Sequence, residues 1–157
     1  MTIKHPRALI VSLALVAFAL ATNGCTPFVV KAPENFVKLK RTRLPYKAVS
    51  ADGVVLTVRS FSNRPEAKLK FWSKVVADEL TNQRGYKLEE SRELSIPGAP
   101  GKWHRFSGEY KGDQYIYVLC LFVTEDRIFA VEGGATKKEY PTYQASIDQF
   151  MRSFSLK

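Results

Sequence analysis

The sequence predicts an α+β fold, an antiparallel β-sheet with helices packed on it as an α/β/α sandwich. Three observations carry that expectation. Short β-branched or aromatic runs are joined by turn dipeptides, as at Ala51-Asp52-Gly53 and Lys111-Gly112-Asp113. Two stretches, beginning at Pro65 and Pro141, repeat apolar residues at spacings of three and four. One strand-like run, Gln114 to Val123, is apolar on both faces, so both faces of the sheet must be covered.

The elements follow in order. Tyr46 to Val49 and Val54 to Phe61 flank Ala51-Asp52-Gly53 and read as a hairpin. Asn63-Arg64-Pro65 stops the second strand, and Pro65 suits the first turn of a helix. From Pro65 to about Gln83, Leu69, Trp72, Val76 and Leu80 form an apolar stripe widened by Phe71 and Val75. Lys68, Lys70, Lys74 and Asp78 take the polar face. Gly85 is placed to cap the C-terminus.

A meander follows. Tyr86 to Ile96 is a mostly polar strand suited to an edge, and residues 97–101 form a loop. Lys102 to Tyr110, Gln114 to Val123 and Arg127 to Glu132 are the next strands, and Gly133-Gly134 leads out of the sheet. Thr136 and Glu139 have capping-box spacing. A closing helix is expected from about Pro141 to Phe154, burying Tyr143, Ile147, Phe150, Met151 and Phe154.

Ahead of this domain lies a segment that reads as an address. Lys4, His5 and Arg7 precede Ala8 to Ala21, a 14-residue apolar run broken only by Ser12. As a helix the run spans roughly 21 Å, short of the ~30 Å hydrocarbon core, so it matches a secretory leader better than a membrane span. Two cleavage readings follow. Ala19-Leu20-Ala21 has the small-x-small form cut by the general signal peptidase, leaving Thr22 first.

Thr22-Asn23-Gly24-Cys25 instead resembles a bacterial lipobox, in which the cysteine receives a diacylglycerol and becomes the first mature residue. Thr22 and Asn23 depart from the Leu and the Ala or Ser of that pattern; Gly24 fits. The lipobox reading makes residues 1–24 a lipoprotein signal peptide and Cys25 the lipidation site. Attached acyl chains add about 0.8 kcal/mol of anchoring per buried CH2. By resemblance to lipoprotein sorting in bacteria with two membranes, Thr26, which is not Asp, points to the outer membrane, facing the periplasm.

Residues 25–45 read as a basic tether after the lipidated cysteine. They hold Lys38, Lys40, Arg41 and Arg43, with Glu34 the one acid. Such a cluster either lies on anionic head groups, at about 1 kcal/mol per cation, or is a solvated linker. The whole chain carries a formal charge of +9, and a mature chain from Cys25 keeps 22 basic and 15 acidic residues, a net +7. Export disfavours nucleic acid as the partner of that charge. Two cysteines exclude a disulfide-dense scaffold, and Cys120, inside an apolar run, reads as a buried hydrophobe.

The chemistry-bearing residues are sparse. His104 is the single histidine after the leader and lies between cations in Lys102-Trp103-His104-Arg105-Phe106. No Cys/His set has zinc spacing, and no calcium loop or P-loop pattern occurs, so no metal or cofactor is expected. Glu89, Glu90, Glu93 and Glu109 read as solvated strand faces. Trp72, Trp103, Tyr110, Tyr115 and Tyr117 could stack a ligand, but burial in a small sheet domain accounts for most of them.

Lys70-Phe71-Trp72-Ser73-Lys74, Arg84-Gly85-Tyr86, Asp126-Arg127-Ile128-Phe129-Ala130-Val131-Glu132 and Phe150-Met151-Arg152-Ser153-Phe154, taken with the order of elements, resemble the PsbP-like superfamily over residues 46–157. The resemblance implies a PsbP-like globular domain over 46–157 and an accessory or scaffold role. It transfers no functional residue. The expectation is a lipid-anchored, non-catalytic binding, accessory or scaffold protein of the bacterial cell envelope, with an envelope protein partner and no catalytic residues. The alternative is an envelope hydrolase or small-ligand carrier with a pocket near His104, Trp103 and Glu109.

Overall fold

The computed structural model describes residues 27–157. Its strands are β1 (Phe28–Val29), β2 (Val37–Lys38), β3 (Tyr46–Val49), β4 (Val55–Ser62), β5 (Lys87–Glu93), β6 (Gly101–Tyr110), β7 (Asp113–Val123), β8 (Arg127–Thr136) and β9 (Ser155–Leu156). Its helices are α1 (Leu69–Asp78) and α2 (Tyr140–Arg152). Seven strands form one sheet in the order β2-β3-β4-β8-β7-β6-β5, each antiparallel to its neighbours. The architecture is the α+β sandwich the sequence predicts.

The strand period of two sorts the core into two layers. Val118, Cys120 and Phe122 of β7 pack on one face with Phe129 and Val131 of β8 and with Ile147, Phe150 and Phe154 from α2 and the turn after it. Leu119, Leu121 and Val123 point the other way, into a smaller layer with Phe106, Ile128 and Leu80 that α1 covers through Leu69, Trp72 and Val76. A strand buried on both faces is what the apolar run of β7 requires.

Three sequence expectations shift. First, α1 begins at Leu69 rather than Pro65. The buried Asn63 side chain claims the preceding turn: its Oδ1 accepts from the Ala67 N–H at 3.0 Å and the Trp72 Nε1–H at 2.7 Å, and its amide donates to the Thr124 carbonyl at 2.8 Å. A short side chain that satisfies backbone groups in this way displaces a helical turn. A π-helical turn, Glu79–Gln83, follows α1, and the Tyr86 N–H closes on the Leu80 carbonyl at 3.0 Å across Gly85, whose φ is +71°.

Second, Gly133 and Gly134 stay inside β8 instead of leading out. A Cβ at Gly133 would stand 2.8 Å from Ile147 Cγ2, and one at Gly134 2.7 Å from the Tyr115 ring, so glycine there admits close packing on each face. The Thr136–Glu139 pair is made, with Thr136 Oγ1 donating to Glu139 Oε2 at 2.8 Å, but it closes the turn before α2 and does not cap the helix.

Third, the segment read as a tether joins the domain. β1 pairs with β9 and β2 with β3, and Phe28 and Phe36 are buried in the α2-side core. Phe28 stacks on Phe154 at a centroid distance of 5.5 Å, and Phe36 meets Tyr143 edge-on at 5.7 Å. The ordered domain therefore includes residues from Phe28, not from Tyr46; single aromatics in a basic, proline-bearing stretch carry no period from which to read this. Cys25 and the expected signal peptide, 1–24, lie outside the described residues.

Candidate functional site

The α1 face of the sheet is only partly covered. Helix α1 rests on β6 and β7, leaving a cleft of about 520 Å3 beside β8 and β4. Its deep wall is apolar, made by Leu119 and Leu121 of β7, Ile128 and Ala130 of β8, and Trp72 and Leu80 opposite. Phe61 and Val75 stand half exposed at the rim. The π turn lies along the same mouth and supplies Glu79 and Leu80, with Arg84 next in sequence.

One polar cluster interrupts this wall. Glu132 is a buried carboxylate on β8. Strand register sets Thr57 of β4 directly opposite it and brings Arg59 and Tyr117 to the diagonals. Glu132 accepts from Thr57 Oγ1 at 2.7 Å, from Tyr117 Oη at 2.5 Å, and from both Nε and Nη2 of Arg59. The two-point guanidinium contact is the geometry that best compensates a desolvated carboxylate. Burial, together with the charge of Glu132, pushes the Tyr117 phenol well above its usual pKa, so it stays a donor. At the mouth Arg84 pairs with Glu79 at 3.4 Å.

A second chamber of about 250 Å3 continues past this cluster and shares Arg59, Tyr86, Tyr117 and Glu132 with the first. Its walls are Tyr110, Tyr115, Gly133 and Gly134. Two of its rings approach the sheet backbone closely because glycines leave the room: a Cβ at Gly108 would be 2.8 Å from the Tyr86 ring, and one at Gly134 2.7 Å from the Tyr115 ring. Arg59, Tyr86 and Glu132 were missed in the sequence as site residues. The available signal was an acid directly after the apolar run Ile128–Val131 and followed by two glycines.

His104 lies elsewhere, between α1, β5 and β6. Its Nε2 is 2.9 Å from Ser73 Oγ, and its Nδ1 is hydrogen-bonded to Ser91 Oγ. Burial, helped by the charge of Lys102, lowers its pKa to about 4, so the ring is neutral. A pocket of about 490 Å3 opens there, lined in part by Lys70, Lys74 and Glu93. The residues read with His104 do not converge on it. Trp103 is buried in the α2-side core, on the opposite face of β6, and Glu109 is exposed near the far end of the strand.

The remaining expected residues are also placed. Lys38, Lys40, Arg41 and Arg43 are all exposed on β2 and the loop after it, and none is in an ion pair among the described residues. Lys38 Nζ lies 5.2 Å from the centroid of the Tyr46 ring. Cys120 is a buried free thiol whose pKa burial pushes up to about 12. No group of three or more His, Cys, Asp or Glu that could hold a metal occurs among the described residues.

The sheet order, the two helices on opposite faces and the meander define a PsbP-like fold. The chain is similar to LpqN of Mycobacterium tuberculosis, described as involved in cell envelope biogenesis, at 12% identity, 83% coverage of both chains and a TM-score of 0.68. It is similar to the cyanobacterial PsbP of Synechocystis at 7% identity, covering 83% of this chain and 87% of that one, with a TM-score of 0.58. A Pseudomonas aeruginosa protein of unknown function, PA94, a putative regulator, matches at 14% identity over 78% and 82%, with a TM-score of 0.54. At these identities the likeness is one of fold. No family model matches the sequence, and no curated protein matches it.

Proposed function

We propose that the chain is a lipid-anchored, non-catalytic binding and accessory module of the bacterial cell envelope, and that it binds through the cleft beside α1. The observation that carries this reading is the cleft itself: a large, mostly apolar recess whose buried polar cluster is internally satisfied. Such a cluster rigidifies a binding wall; it offers no free base or nucleophile. The leader, the lipobox-like Thr22-Asn23-Gly24-Cys25 and the envelope role of LpqN support the location. Lipidation at Cys25, an outer-membrane position facing the periplasm, contact of Lys38, Lys40, Arg41 and Arg43 with anionic head groups, and an envelope protein partner all belong to this proposal. The hydrolase alternative has one supporting feature, the Ser73–His104 hydrogen bond, and His104 has serines on both nitrogens where the Ser-His-Asp arrangement places an orienting acid on one.

A photo-crosslinking residue at the exposed rim position Phe61, in cells, should trap a reproducible envelope component. An absence of any adduct there removes the binding reading. The intact mass of the extracted protein should correspond to a chain starting at Cys25 with added diacylglycerol and acyl mass. A bare chain starting at Thr22 removes the anchor.

A further inference from the structure

The cleft has two chambers of different chemistry joined at the Glu132 cluster. The larger is walled by aliphatic side chains on the sheet and α1. The smaller is walled mainly by tyrosines and glycine backbone, with Val55 and Thr57 completing it. Gly108 and Gly134 let the Tyr86 and Tyr115 rings approach the sheet closely, and tyrosines combine an apolar ring for C–H-rich surfaces with a phenol for hydrogen bonds. Among the described residues, the four charged ones that line the cleft form two pairs, Arg59 with Glu132 and Arg84 with Glu79, and none of these lines either chamber unpaired. A charged head group would be desolvated there without a free counter-charge.

We infer that the ligand is a single-chain amphiphile with an uncharged, hydroxyl-bearing head. Its alkyl chain lies between α1 and Leu119, Leu121 and Ala130, and its head rests in the tyrosine chamber beside Tyr86 and Tyr115. This deepens the reading of the cleft as a binding site and rests on it. The half-exposed Phe61 and Val75 give the chain an apolar entry at the rim.

The test uses the full chain with 1-monolauroylglycerol and, separately, laurate, each below its critical micelle concentration. Trp72 lines the larger chamber while Trp103 is buried on the other face of the sheet, so fluorescence reports the cleft. Saturable binding of the glycerol ester, at least tenfold tighter than laurate, is expected. Ala130→Phe, which fills the alkyl chamber, should weaken both ligands at least tenfold. Tyr115→Ala should weaken only the ester, severalfold, and stands as the second variant if Ala130→Phe does not fold. Laurate binding as tightly as the ester overturns the uncharged head. No saturable binding, or binding indifferent to both substitutions, overturns the amphiphile. Neither failure touches the Cys25 mass or the cross-link from Phe61, which bear on the envelope reading separately.

Discussion

His104 joins three elements through two serine hydroxyls while remaining neutral. Its folded pKa of about 4 lies below the unfolded value near 6.5, so the unfolded chain binds the extra proton between these values. The stability this neutral ring contributes is complete above pH 6.5 and is lost as the pH falls toward 4. Urea midpoints measured from pH 7.5 to 4 should therefore drop, and His104→Gln should flatten that part of the profile. An unchanged slope in the variant would assign the acid sensitivity to other groups. The sequence located this histidine on a strand among cations, and one of them, Lys102, does bear on its charge. Its serine partners were not legible, because Ser73 and Ser91 meet it only after α1 and β5 pack on β6.

Elements were legible where period and turn chemistry agree. The β3–β4 hairpin, the stripe of α2 and the two-faced β7 follow from local pattern and fall close to their expected bounds, and α1 keeps its stripe within a shorter helix. Glycines misled the reading, since in a sequence they signal exits while in the sheet they admit neighbours. Gly133 and Gly134 extend β8 for this reason, and Gly101, expected in a loop, starts β6. A Cβ at Gly101 would intrude on the Leu94 carbonyl oxygen and come within 2.5 Å of the Phe122 ring. Backbone cannot yield as a side-chain end can. Gly101→Ala should cost about 1–3 kcal/mol in urea unfolding, the range for overpacking, and wild-type stability would show that β5 and β6 can separate there. The cleft was hidden for a related reason: its walls come from β4, β7, β8 and α1, and only the sheet order sets them side by side.

On the scale of the whole molecule, the two ends of the described chain are sewn together. β1 pairs with β9, the Lys157 N–H donates to the Pro27 carbonyl at 3.1 Å, and Phe28 lies between Phe154 and Phe129. Phe28→Ala should destabilise the fold by about 3–5 kcal/mol, the usual cost of removing a buried phenylalanine. A urea midpoint equal to wild type would return residues before Tyr46 to the status of linker. The seam also bears on the proposed anchor. Cys25 precedes Pro27 by two residues, a reach of no more than about 7 Å. A lipid on Cys25 would thus hold the domain like a moored hull rather than a kite on a string, with the β1–β9 edge kept within a few ångströms' reach of the anchor. Whatever the cleft meets would have to come to a site that stays close to the membrane.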